Sequence, residues 1–165
     1  MNFIKKFNEI RDIPYKIPLS IHEKSQNCCG KHIELKKYFE KHWLEVRYRV
    51  CSFLWSSIHL PEKVKNIPHD DYSMHVYLEV YIENKWVAVD ATWDSEIEDI
   101  LLVNTWDGKI DTKIAVEPIE IFSLEKSKEI MQNPDNQEML DDLEKHGEFY
   151  KVFNNWLEEV RKEWK

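Results

Sequence analysis

A cysteine, a histidine and an aspartate fall in that order at Cys28, His75 and Asp90. Together they can make a nucleophile, a base and an orienter. A thiolate attacks a carbonyl carbon, an imidazole takes up and returns the proton, and a carboxylate fixes the tautomer of the ring. Each residue also has a plainer use. A buried cysteine is usually a small hydrophobe, and that is the reading for Cys51 inside an alternating strand. An isolated histidine or aspartate is an edge or cap residue. What lifts Cys28, His75 and Asp90 above these uses is the set of elements that must carry them.

Cys28 opens a helical pattern. Cys28, His32, Leu35, Phe39 and Trp43 recur every three or four residues, which predicts a helix from Asn27 to about Trp43, capped by Asn27 or Ser25. A cysteine in the first helical turn sits among unpaired N–H groups at the positive end of the helix dipole. That position favours a thiolate and can hold the oxyanion of an acyl intermediate. His75 and Asp90 fall in two alternating runs, 75–82 and 85–92, separated by Glu83-Asn84. A two-residue turn there sets Ile82 opposite Lys85, Val80 opposite Val87, Leu78 opposite Val89 and Val76 opposite Ala91, so that one face is aliphatic. The other face carries His75, Tyr77, Glu79, Tyr81, Trp86, Ala88, Asp90 and Thr92. Asp90 then lies opposite Tyr77, one diagonal step from His75, about 7 Å between Cβ atoms and within reach of a side-chain hydrogen bond. A carboxylate in an otherwise apolar strand needs such a partner.

The remaining segments are framework. Residues 46–55 read as a strand and 56–71 as a loop broken by Pro61 and Pro68. Residues 114–122 form a strand interrupted at Pro118. The last thirty residues form an amphipathic helix with Met139, Leu143, Tyr150, Phe153, Leu157, Val160 and Trp164 on one stripe. That stripe packs on its own domain or serves a homodimer. The chain has 165 residues, three glycines, no repeat and no low-complexity linker, which points to a single domain.

The residues around the three candidates resemble the transglutaminase-like superfamily, in its bacterial single-domain form. Asn27-Cys28-Cys29-Gly30-Lys31-His32 resembles that family's nucleophile segment, in which a Lys-His pair follows the cysteine. His75-Val-Tyr-Leu-Glu-Val-Tyr-Ile82 and Lys85-Trp-Val-Ala-Val-Asp90-Ala-Thr-Trp-Asp94 resemble its histidine and aspartate strands. With Asp12-Ile-Pro-Tyr15 upstream, the likeness covers about residues 10–95 and leaves 96–165 as an extension. It implies an α+β, papain-like fold with a cysteine-bearing helix packed on an antiparallel sheet. It further implies acyl transfer or hydrolysis at an amide bond through a thioester, with Cys28, His75 and Asp90 as catalytic residues. Cys29 departs from the pattern, which commonly has a small polar residue there. Gln26 and Tyr15 are candidates for an oxyanion or substrate contact. Among the tryptophans that could line a groove, Trp86 is favoured over Trp55 and Trp93 because it shares the Asp90 face.

Two other readings compete: a catalytically silent protein-binding module of the same fold, and a thiol redox or metal-handling protein using Cys28 and Cys29. The intact set of three counts against the first. No C-x-x-C, H-E-x-x-H or EF-hand spacing supports a metal, and His32, one turn beyond Cys28, reads as a satisfied core histidine. No cofactor is expected. A net charge of −8, with 31 acidic residues against 23 scattered basic ones, argues against nucleic acid. Neither a signal-peptide core nor a membrane span is visible, and three cysteines make no disulfide framework. A reducing, cytoplasmic setting and a peptide or protein substrate are the expectation.

Overall fold

A computed structural model describes residues 2–163, so Trp164 of the C-terminal stripe lies outside the described residues. Helix α1 (Phe3–Arg11) and helix α2 (Cys28–Lys41) precede strand β1 (Val46–Leu54). A short helix α3 (Glu62–Lys65) leads to β2 (Tyr72–Ile82) and β3 (Lys85–Val89), followed by β4 (Glu120–Ile121), α4 (Leu124–Gln132) and α5 (Asn136–Glu163). The strands form one antiparallel sheet in the order β3-β2-β1-β4. The fold class is α+β.

The hairpin has the expected register: Leu78 pairs with Val89, Val80 with Val87 and Ile82 with Lys85. Glu83 and Asn84 take φ of 49° and 66°, the left-handed pair of a type I′ turn, whose twist matches the flanking strands. Its aliphatic face, with Leu78, Val80, Val87, Val89 and Ala91, packs on Phe7 and Ile10 of α1, Leu35 and Phe39 of α2, and Trp106. Each large side chain sealed there contributes about 1.5–3 kcal/mol of apolar burial. The opposite face, through Cys51, Phe53 and Tyr77, joins a second core with Tyr15, Trp55, Trp93 and the α5 residues Phe149, Phe153, Trp156, Leu157 and Val160. The stripe is thus buried within its own chain from Phe149 to Val160, while Met139 at its N-terminal end is exposed.

Several boundaries differ from expectation. Helix α2 stops at Lys41, and Trp43 is 92% exposed instead of closing the apolar stripe. Trp43 takes the left-handed conformation, φ 66°, while Leu44 N–H donates to Phe39 O (3.1 Å) and Trp43 N–H to Glu40 O (3.0 Å). This is a Schellman ending, with a tryptophan where glycine is usual. Strand β2 starts at Tyr72. β3 ends at Val89, so the expected Val76–Ala91 pair is not in the ladder. Asp90 N–H donates instead to Thr112 Oγ1 (2.9 Å). Of the strand expected over 114–122, Glu120 and Ile121 pair with β1, after Pro118, which has no N–H to give a ladder. Helices α1, α3 and α4 were not expected. In α1 the apolar spacing Phe3, Phe7, Ile10 is diluted by five charged or amide side chains.

Candidate functional site

Cys28 is the first residue of α2 and is 9% exposed. The turn before it is held by Asn27, whose Oδ1 accepts the Gly30 N–H (3.1 Å) and the Ser25 hydroxyl (2.7 Å). Position 30 leaves no room for a side chain unless the turn shifts: a Cβ there would lie 2.0 Å from Ser25 O. The capping bond satisfies one of the open donors of the helix end, and the N–H groups of Cys28 and Cys29 belong to the same first turn.

His75 is 2% exposed and Asp90 fully buried. Strand β2 presents the imidazole and the chain just past β3 presents the carboxylate, so that His75 Nε2–H donates to Asp90 Oδ2 at 2.7 Å. The carboxylate is fixed on every side. Its Oδ2 also accepts Ala115 N–H (2.8 Å), and its Oδ1 accepts the Thr92 hydroxyl (2.6 Å) and the Thr92 N–H (3.2 Å). Burial alone would discharge both groups. For His75 burial is outweighed by the Asp90 charge, the bond to Asp90 and a side-chain hydrogen bond with Cys28, and the ring is pushed up to about 10. Burial likewise opposes the Asp90 charge, but the His75 charge and hydrogen bond win and hold the carboxyl down at about 2. With Nε2 committed to Asp90, Nδ1 is the ring nitrogen left for the thiol.

Burial pushes the Cys29 and Cys51 thiols up to about 12, aided by the nearby Cys28 and, for Cys51, by the Asp90 charge. Both are held as protonated thiols, and Cys28 is the cysteine that helps raise His75.

Two further residues tie helix α2 to the Asp90 segment. His32 is fully buried, and Ala91 N–H donates to its Nε2 (2.9 Å), which forces the proton onto Nδ1, where it is donated to Cys28 O (2.7 Å). Burial lowers His32 to about 4, against the pull of Asp90 Oδ1 at 3.7 Å, so the ring is neutral. Lys31, 1% exposed, donates to Thr92 O (2.7 Å) and Arg11 O (2.8 Å); burial lowers it to about 7. His32 is a satisfied core histidine. Among the described residues no group of three or more His, Cys, Asp or Glu side chains is arranged to hold a metal ion.

A second buried carboxylate, Asp94, is gripped by Arg161 of α5 through Nε (3.1 Å) and Nη2 (2.8 Å). Asp94 also accepts Tyr15 N–H (2.9 Å), and Arg161 Nη2 donates to Tyr15 O (3.1 Å). About two turns earlier on α5, Asn154 takes both backbone groups of Ile17 (2.9 and 2.8 Å). The C-terminal helix therefore sets the position of the Tyr15–Ile17 segment.

That segment is one wall of a 370 Å³ cavity onto which Cys28, Cys29 and His75 open. Tyr15 lines it, with its ring 4.5 Å from that of Trp93, and burial raises its hydroxyl well above the ordinary range. Two expectations are corrected here. Gln26 does not line the cavity; it is held in a backbone bridge, its O accepting Lys16 N–H (3.4 Å). Trp86 does not line it either, because it sits near the turn, under the Arg47 guanidinium (3.8 Å to the ring centre) and against Tyr81. Trp55 and Trp93 line the cavity instead. Face sharing in a strand does not set how far along it a side chain reaches the site. Thr92, His32, Asp94 and Arg161 were assigned no part in the site from the sequence. The Asp-x-Thr spacing at 90–92 was the readable signal for Thr92, since a threonine two residues on can return a bond to the carboxylate.

No helix among the described residues is long and apolar enough to cross a membrane. Searches against family models, curated proteins and solved structures found no match for the chain.

Proposed function

We propose that this chain is a thiol acyl-transfer enzyme of the transglutaminase-like, papain-type class, cleaving or exchanging an amide bond of a peptide or protein. The observation that carries the reading is the buried His75, whose Nε2 is fixed on Asp90 at 2.7 Å and which opens onto the same cavity as Cys28 at the start of α2. A cysteine helix packed against an antiparallel sheet bearing the histidine fits the same class.

In this mechanism His75 holds the proton of Cys28, and the thiolate attacks the amide carbon. The oxyanion that forms is met by the first-turn N–H groups of Cys28 and Cys29, with the Tyr15 hydroxyl as a further donor on the cavity wall. His75 then protonates the leaving amine as the C–N bond breaks, and a thioester remains on Cys28. Water or a second amine, deprotonated by His75, attacks the thioester and frees the thiol. Asp90 keeps the ring in one tautomer throughout and balances its charge. Hydrolysis is the favoured outcome, since water is the more abundant acceptor. A cytoplasmic, reducing setting keeps the thiol free.

The test is the iodoacetamide alkylation rate of each cysteine, read by peptide mass spectrometry from about pH 4 to about pH 9. The proposal expects Cys28 alone to react fast below neutrality, and to lose that reactivity in His75→Ala. A slow Cys28 with a reactive Cys29 would overturn it and favour the silent binding module.

A further inference from the structure

The cavity beside Cys28 has walls that the acyl-transfer reading does not require. Tyr15, Trp55 and Trp93 form its inner side, and Met139, Leu143 and Tyr150 of α5 form part of its lining as well. Of these, Tyr15, Trp55 and Trp93 are buried, while Met139 is 39% exposed. At 370 Å³ it is near the small end of ligand pockets, room for a side chain and its immediate neighbours. Besides His75, the charged side chains that line it are the carboxylates Asp142 and Glu23, the latter ion-paired with Lys16 outside the lining, and no lysine or arginine lines it. Asp142 is anchored, accepting the Tyr150 hydroxyl (2.9 Å) and His146 Nδ1–H (2.8 Å). A second hollow of 240 Å³ shares Trp55, Met74, Asp142 and Tyr150 with the first and adds another carboxylate, Asp70.

We propose that this cavity is a specificity subsite for a bulky apolar side chain, aromatic or long aliphatic, next to the acyl carbon of a neutral or basic peptide, with the first half of α5 contributing to its wall. The proposal rests on the acyl-transfer reading for the position of the reacting carbon. An apolar side chain there exchanges water for aromatic and thioether surface. A substrate carboxylate would meet Glu23 and Asp142, and the one cation in the lining, His75, is already bonded to Asp90.

The experiment uses acetyl-aminoacyl chloromethyl ketones with a phenylalanine, leucine, alanine or glutamate side chain. In each, the Cys28 sulfur displaces chloride and forms a C–S bond, and the labelling rate is read by mass spectrometry beside iodoacetamide. The phenylalanine and leucine reagents should label Cys28 at least about tenfold faster than the alanine reagent, with the glutamate reagent slowest. Leu143→Arg, and Met139→Lys at a more exposed position, should each narrow the gap between the phenylalanine and glutamate reagents by about tenfold. Equal rates for the four reagents, with His75-dependent iodoacetamide labelling intact, would overturn the subsite and leave the thiol chemistry standing. Loss of His75-dependent iodoacetamide labelling would overturn both.

Discussion

Asp90 and Asp94 are four residues apart, both essentially without solvent, and both bonded to a basic side chain and to backbone N–H groups. Their partners differ. Asp94 holds Arg161, which stays charged at any accessible pH, so the pair is a fixed tie between α5 and the Tyr15 strap. Asp90 holds His75, which can give up its proton, and that ring shares a cavity with a thiol at a helix N-terminus. Burial and a salt bridge do not by themselves set the two carboxylates apart. The chemistry of the partner, and what lies beyond it, does.

The difference can be broken from either side. His75→Asn should cut the rate of Cys28 alkylation near neutral pH by about 10²–10⁴, the usual range for a lost general base, with a smaller change in thermal midpoint. Arg161→Ala should do the reverse. It strands the Asp94 carboxylate in the core and costs about 3–5 kcal/mol, read from urea unfolding, while Cys28 in the molecules that remain folded keeps its dependence on His75. If both variants lowered stability and reactivity alike, the two aspartates would not be distinct in role.

Gly30→Ala should have a smaller effect, because the added methyl must displace the Ser25 carbonyl. A cost of about 1–3 kcal/mol is expected, together with slower Cys28 labelling, since the same turn seats Cys28. The smallest effect is in the pH profile. His32 is lowered from 6.5 to about 4, so its contribution to stability is full above about pH 6.5 and is lost as pH falls through about 4. His75 is raised from 6.5 to about 10, so its contribution is full below about pH 6.5 and is lost as pH rises through about 10. Urea midpoints should therefore peak near neutrality and fall on both sides. His32→Gln should flatten the acid limb and leave the alkaline limb in place.

The hairpin was legible because two strict alternations flank a two-residue turn, which leaves little freedom in register, and the His75–Asp90 contact follows from that register. The start of α2 was legible from Asn27 and the apolar spacing, but its end was not, since the left-handed cap falls on Trp43 where glycine would have signalled it. The contribution of α5 was only half readable. Its apolar stripe announces a buried helix, yet Asn154 and Arg161 reach Ile17, Tyr15 and Asp94 across more than sixty positions of sequence. Contacts of that span have no periodic trace. Trp86 was misplaced for a related reason: alternation assigns a face, whereas its partners Arg47 and Tyr81 hold it at the far end of the hairpin.

The most direct test of the account is the ultraviolet absorbance of the thiolate, titrated in Cys29→Ser/Cys51→Ser protein with and without a further Cys28→Ser change. The account predicts a thiolate signal belonging to Cys28 already present at about pH 6, which disappears when His75 is replaced by alanine. A Cys28 signal that rises only near the free-thiol value of about 8.5, and is the same with and without His75, would contradict it.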